Sequence, residues 1–200
     1  TKGVGKVWIF TRSGSTWTQQ TSFYPPDISS NGGYCSFGRN LVMTPDATTL
    51  LVGGPDDNNG TGGNGPLGAA WVYTRSGTTW TKQAKLTPTG VVQSYAGNYF
   101  GTGLSISSDG NTAIIGSRGE RNGTYGASGA CYVFTRSGGT WSQQVRLSPT
   151  QVPSLPNGSY FGKATAISPD GNTLVVAAPH YIGVQVSSQE VVRLGLIKQH

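Results

Sequence analysis

The 200-residue chain carries 14 Lys and Arg against 8 Asp and Glu, a net charge of +6, and only 11% of its residues are charged. Its 31 Gly and 11 Pro, with many Ser, Thr and Asn, exclude helical bundles and coiled coils, while 5 Trp, 9 Tyr and 6 Phe are too many for a disordered chain. No apolar run approaches the roughly 20 residues of a membrane helix, and the scattered basic residues form no stripe of the kind nucleic-acid binding requires.

The first predicted hairpin runs Gly5-Lys6-Val7-Trp8-Ile9-Phe10-Thr11-Arg12-Ser13-Gly14 and is followed by Trp17. The same pattern returns at Gly68 to Gly77 with Trp80, and at Gly129 to Gly138 with Trp141. A second landmark, Phe37-Gly38, recurs in step as Phe100-Gly101 and Phe161-Gly162. Two series in one register establish an internal repeat of about 60 residues. Within one copy, Phe100 to Ser107 reads as a strand with Leu104 and Ile106 on one face. Asp109-Gly110-Asn111 is a tight turn, and Thr112 to Gly116 is a short buried strand. A loop rich in Gly and Asn leads to a third strand over Gly129 to Phe134. There Cys131 and Val133 alternate with Tyr132 and Phe134. The fourth strand is Thr140 to Leu147.

Each unit is thus a four-stranded antiparallel meander that cannot cover both of its faces and must pack against its neighbours. The chain divides into residues 1–36, the last half of a first unit plus a linker; 37–99, a second unit; 100–160, a third; and 161–200, a fourth, partial or degenerate one. Gly183 to Val186 and Val191 to Lys198 are candidates for two degenerate closing strands.

The Phe-Gly pairs, the Asp-Gly-Asn-Thr turns, Ala177-Ala178-Pro179 and the Gly-Ala-x-Tyr-Val-Phe segment resemble FG-GAP repeats, the blades of integrin-α-type β-propellers. The resemblance covers residues 5 to about 179. It implies an all-β, β-propeller-like array of tandem four-stranded blades, about three to three and a half in number. It also implies adhesive or scaffolding roles outside the cell. The array is open or completed by neighbouring chains: the sequence is an excerpt of a longer propeller, or associates head to tail through its half-units, or caps its own ends. The calcium loops of integrin blades have no counterpart, because Asp46-Ala47-Thr48, Asp109-Gly110-Asn111 and Asp170-Gly171-Asn172 offer too few oxygens. The expectation is therefore no cofactor, with Asp56 and Asn58 the one faint trace of a calcium loop.

Asn59, Asn122 and Asn157 each open an Asn-x-Ser/Thr sequon, a glycosylation candidate in a secretory eukaryote and otherwise a turn. Cys35 and Cys131 are either two separate buried thiols or a long-range disulfide. Most carboxylates fall in turns, where they cap backbone. His180 and His200 are too few for a zinc site or a catalytic triad. Arg12, Arg75 and Arg136 face Trp17, Trp80 and Trp141 across hairpin turns, a structural cation–π pair in each copy. Phe37, Phe100 and Phe161 fill the space between sheets, and Gly38, Gly101 and Gly162 permit close approach. These features predict a non-enzymatic extracellular structural or adhesive protein that joins its own copies through strand edges into a fibre or surface layer. The alternative is a carbohydrate-binding module using loop aromatics.

Overall fold

The computed structural model describes residues 3–28, 34–58, 65–92, 94, 96–122, 125–148 and 158–180. The strands are β1 (Val7–Ser13), β2 (Thr16–Phe23), β3 (Asn40–Met43), β4 (Thr49–Gly54), β5 (Ala69–Ser76), β6 (Thr79–Leu86), β7 (Phe100–Ile106) and β8 (Thr112–Ser117). They continue with β9 (Arg121–Asn122), β10 (Tyr125–Ala127), β11 (Ala130–Ser137), β12 (Thr140–Leu147), β13 (Ala164–Ile167) and β14 (Leu174–Ala177). No helix among the described residues is long and apolar enough to cross a membrane.

Two complete antiparallel sheets follow chain order, β3-β4-β5-β6 and β7-β8-β11-β12. They are flanked by the hairpins β1-β2 and β13-β14. This is the expected all-β array of meanders, open among the described residues. One difference lies in the Gly- and Asn-rich loop after β8, which forms a small hairpin of its own, β9-β10. A two-residue strand carries too little alternation to be read from a sequence. The closing segments at 183–186 and 191–198 lie outside the described residues.

The sheets stack face to face, and strand alternation divides each between two cores. Tyr132 and Phe134 of β11 pack with Phe100 against Leu51, Val72 and Leu86 of the preceding sheet. Their neighbours Cys131 and Val133 point the other way, to Phe161 and to Leu174 and Val176 of the following hairpin. The earlier junction joins Val7, Ile9 and Phe23 to Phe37, Val52, Trp71 and Tyr73.

Backbone contacts fix the spacing between sheets. The N–H groups of Phe37, Phe100 and Phe161 donate to the carbonyls of Val4, Leu67 and Ser128 at 2.9 Å each. Gly68 and Gly129 form parallel bridges to Phe100 and Phe161. Gly5, Gly68 and Gly129 all have φ of +87°, and a Cβ on them would stand 2.1, 2.2 and 2.0 Å from the carbonyl oxygen of the opposing Phe. Glycine is required there both by dihedral angle and by space. Gly68→Ala is therefore expected to destabilise the chain by about 3 kcal/mol or more, from left-handed strain plus overpacking. Thermal denaturation beside the open-space control Gly3→Ala, whose added methyl meets nothing within 4 Å, checks this.

Candidate functional site

The third-to-fourth strand hairpins share one irregularity. Their registers shift between Ile9 and Phe10, Val72 and Tyr73, and Val133 and Phe134. In each case one residue of the outer strand is left out of the pairing: Gln20, Gln83 and Gln144. A bulge re-aims the residue it extrudes. The Gln83 carbonyl oxygen accepts the Trp141 indole N–H at 2.9 Å and Arg136 Nη1 at 3.1 Å, both from the next sheet. Arg136 also donates through Nε to Asn111 at 3.0 Å. Each recurrent arginine sits by its tryptophan, at 6.0 Å for Arg12 and Trp17, 5.9 Å for Arg75 and Trp80, and 5.4 Å for Arg136 and Trp141. Their surroundings differ in one respect: Trp80 and Trp141 are partly buried against the preceding sheet, while Trp17 is exposed.

Two acids, Glu120 and Asp57, are buried anchors. Glu120 is fully buried. It accepts Arg146 Nε at 2.7 Å, the Tyr132 hydroxyl at 2.6 Å and the Val92 N–H at 3.3 Å. Asp57, its equivalent one repeat earlier, is fully buried and pairs with Lys85 at 2.5 Å. The signal in the sequence is the shared spacing: Asp57 to Glu120 and Lys85 to Arg146 follow the repeat. Burial opposes the Arg146 charge, yet the adjacent Glu120 carboxylate raises its pKa. Burial, then Glu120, pushes the Tyr132 hydroxyl up. Near Asp57, Asp27 binds the Trp71 indole at 2.9 Å and Lys82 at 2.6 Å. Asp27 is pulled by burial toward the neutral form, but these bonds hold its pKa below the usual carboxylate value.

The turn carboxylates are engaged by their own turns. Asp46 accepts the Thr44 hydroxyl at 2.6 Å and the Thr48 N–H at 3.0 Å. Asp109 takes the Ser107 hydroxyl at 2.5 Å and the Asn111 N–H at 2.9 Å, and Asp170 repeats this with Ser168 and Asn172. Asp56 accepts the Ser36 hydroxyl and lies 3.6 Å from Arg39. Among the described residues, no three His, Cys, Asp or Glu side chains are grouped to hold a metal. The cysteines stand in separate cores, Cys35 beside Trp71 and Cys131 beside Ile114. Burial raises each thiol to about 12, so both are poor nucleophiles at neutral pH.

The remaining cluster lies at the end of the sheets where β8 and β14 finish and β7 begins. Arg118, in the place where the equivalent positions hold Pro55 and Pro179, lies 4.2 Å from the Tyr99 ring centroid and 5.6 Å from that of Tyr160. Tyr160 meets the His180 ring edge-on at 4.8 Å. Both tyrosines are half-buried, His180 is exposed, and the tyrosines have φ of +58° and +56°. Such strain is retained where surrounding contacts impose it. The site is a guanidinium walled by aromatic rings, suited to an anion or to the face of a sugar. The clamp has no signature in the sequence, since Tyr99 and Tyr160 are brought to Arg118 from two different repeats. Of the sequon asparagines, Asn122 lies on β9, and Asn59 and Asn157 lie outside the described residues.

Residues 80–134 match the family model of the FG-GAP repeat. No curated protein matches the chain. Among solved structures it is similar to TolB from Acinetobacter baumannii, at 15% identity over 80% of this chain and 29% of that one, with a TM-score of 0.37. It is also similar to the hydrazine synthase of Kuenenia stuttgartiensis, at 12% identity, 78% and 44% coverage and a TM-score of 0.45. The GH74 enzyme of Niastella koreensis gives 24% identity, 82% and 23% coverage and a TM-score of 0.44. The chain spans less than half the length of each.

Glu120→Ala is expected to cost about 3 kcal/mol, because it strands Arg146 and the Tyr132 hydroxyl; urea unfolding reads this directly. The pKa values of Asp46, Asp109 and Asp170 are lowered from 3.8 chiefly by the Thr44, Ser107 and Ser168 hydroxyls. A depressed native pKa gives stability that is complete above the unfolded value and is lost as pH falls through the native one. The melting temperature should therefore hold above about pH 4 and decline below it. Replacing the three aspartates by asparagine should flatten that decline.

Proposed function

We propose that this chain, in which residues 80–134 match the FG-GAP repeat, is a non-enzymatic structural and adhesive protein that works outside the cell. The observation that carries this reading is where the repeated polar side chains go. Gln83, Trp141 and Arg136 tie sheet to sheet, Glu120 with Arg146 and Asp57 with Lys85 brace each sheet, and the turn aspartates bind their own loops. Side chains committed in this way favour rigidity, which suits a scaffold that presents loops. Secretion is supported by the family's typical setting and by the sequons at Asn59, Asn122 and Asn157.

A second reading, carbohydrate binding, is favoured by Arg118 between Tyr99 and Tyr160. It is compatible with the first, since adhesion to a glycan coat needs such a contact. A guanidinium held between rings selects acidic polysaccharides over neutral ones. On a glycan array, acidic glycans should be retained and released by salt. Arg118→Ala should weaken retention by at least about fivefold with little change in melting temperature. Retention of no glycan, or turnover of one, would discard the adhesive reading.

A further inference from the structure

Trp8, Phe10 and Trp17 of the first hairpin are 52%, 53% and 64% exposed. Their repeat equivalents are Trp71, Tyr73 and Trp80 in the second unit, and Tyr132, Phe134 and Trp141 in the third. In those units the first two are buried and the tryptophan is packed against the preceding sheet. One end of the array thus shows a finished contact face with nothing against it among the described residues.

The other end shows the surface such a face fits. The sheets β3-β6 and β7-β12 each contain two inner strands followed by a hairpin. At β13-β14 the inner strands are present, and among the described residues no strand pairs with the outer edge of β14. In the third unit Val145, the equivalent of the half-buried Ala84, is 43% exposed. Gln144, the equivalent of the latch residue Gln83, is bulged in the same way, exposed, and among the described residues donates to nearby Ser142.

We infer that the β1-β2 hairpin of a second copy completes the β13-β14 sheet of the first. This deepens the structural half of the function proposed above by naming the chain itself as the partner. It rests on the blade reading of the fold and not on the glycan site. Continuity with the junctions already formed within the chain carries it. The pairings of β4 with β5 and of β8 with β11 share one register. Carried one repeat further, that register sets Thr11 of the second copy opposite Thr173, Phe10 opposite Leu174, and Trp8 opposite Val176. Trp17 then packs beside Val145, with its indole N–H on the Gln144 amide, as Trp141 sits on Gln83. Among the described residues, two strands are offered and two are lacking. The contact is heterologous, closing into a ring or extending as a fibre. Two copies in a ring would hold about six blades, within the usual range for closed propellers.

The test uses the whole 200-residue chain. Thr11→Cys and Thr173→Cys are placed together at positions whose repeat equivalents, Thr74 with Thr49 and Thr135 with Thr112, are directly opposed. Mild oxidation should give disulfide-linked dimers or a ladder on a non-reducing gel, absent from either single variant. Without cysteines added, sedimentation should show concentration-dependent association, and Trp17→Ala should weaken it by about thirtyfold or more while leaving the melting temperature of the separated chain unchanged. A disulfide within one chain, or a monomer at every concentration, would overturn the inference and assign the β14 edge to another occupant. Loss of glycan retention with association intact would instead remove only the adhesive reading.

Discussion

Everything in this fold depends on how closely one sheet can approach the next at the point where the chain crosses between them. There the backbone of Gly5, Gly68 or Gly129 lies directly against that of Phe37, Phe100 or Phe161, with hydrogen bonds from Phe N–H to Val4, Leu67 and Ser128. The glycine has no side chain to keep the sheets apart, and its positive φ turns the chain into the third strand. The Phe ring then enters the space between sheets. Phe100 stands edge-on to Tyr132 at 5.4 Å and to Phe134 at 6.0 Å. A wider spacing would part these rings from Leu51, Val72 and Leu86 of the preceding sheet, contacts whose energy falls steeply with a small gap.

Polar contacts then make the stacking directional. An apolar face would tolerate sliding, whereas the bulged Gln83 meets Trp141 and Arg136 only in one register. The bulge supplies this at little cost, since a residue left out of the ladder is free to aim its amide sideways. The Gln20 oxygen and the Trp80 indole nitrogen stand at the equivalent positions one repeat earlier, both buried. Neither makes a hydrogen bond among the described residues, so the latch joins the second unit to the third and is not formed at the earlier junction. Glu120 with Arg146 and Asp57 with Lys85 act within a unit, holding the segment after the second strand against the outer strand. Buried pairs of this kind contribute less to net stability than to fixing one arrangement over others.

The two ends of each sheet are built for different work. One end is closed by aspartate turns whose carboxylates are occupied by neighbouring hydroxyls and N–H groups. The other end bears the long loops, and with them Arg118 between Tyr99 and Tyr160. Loops on a rigid scaffold are where binding residues concentrate. The strained backbone at Tyr99 and Tyr160 precedes the Phe-Gly pair in each case. The crowding that fixes the sheet spacing therefore also places the rings around the guanidinium.

The sequence by itself determined the repeat, the four-strand unit and the landmark residues, because alternation, turn chemistry and a fixed period are local or periodic properties of the chain. Tyr132 and Phe134 fall on one face and Cys131 and Val133 on the other from strand geometry alone. Tertiary structure decided what those faces meet. That Asp57 and Glu120 are buried with Lys85 and Arg146, that Gln83 leaves the ladder to bind Trp141, and that Arg118 enters between rings from two different repeats all depend on distances across sheets. A charged or amide side chain looks the same in a sequence whether solvent or a neighbouring sheet satisfies it. The β9-β10 hairpin likewise escaped, since strands of two and three residues leave no period to detect.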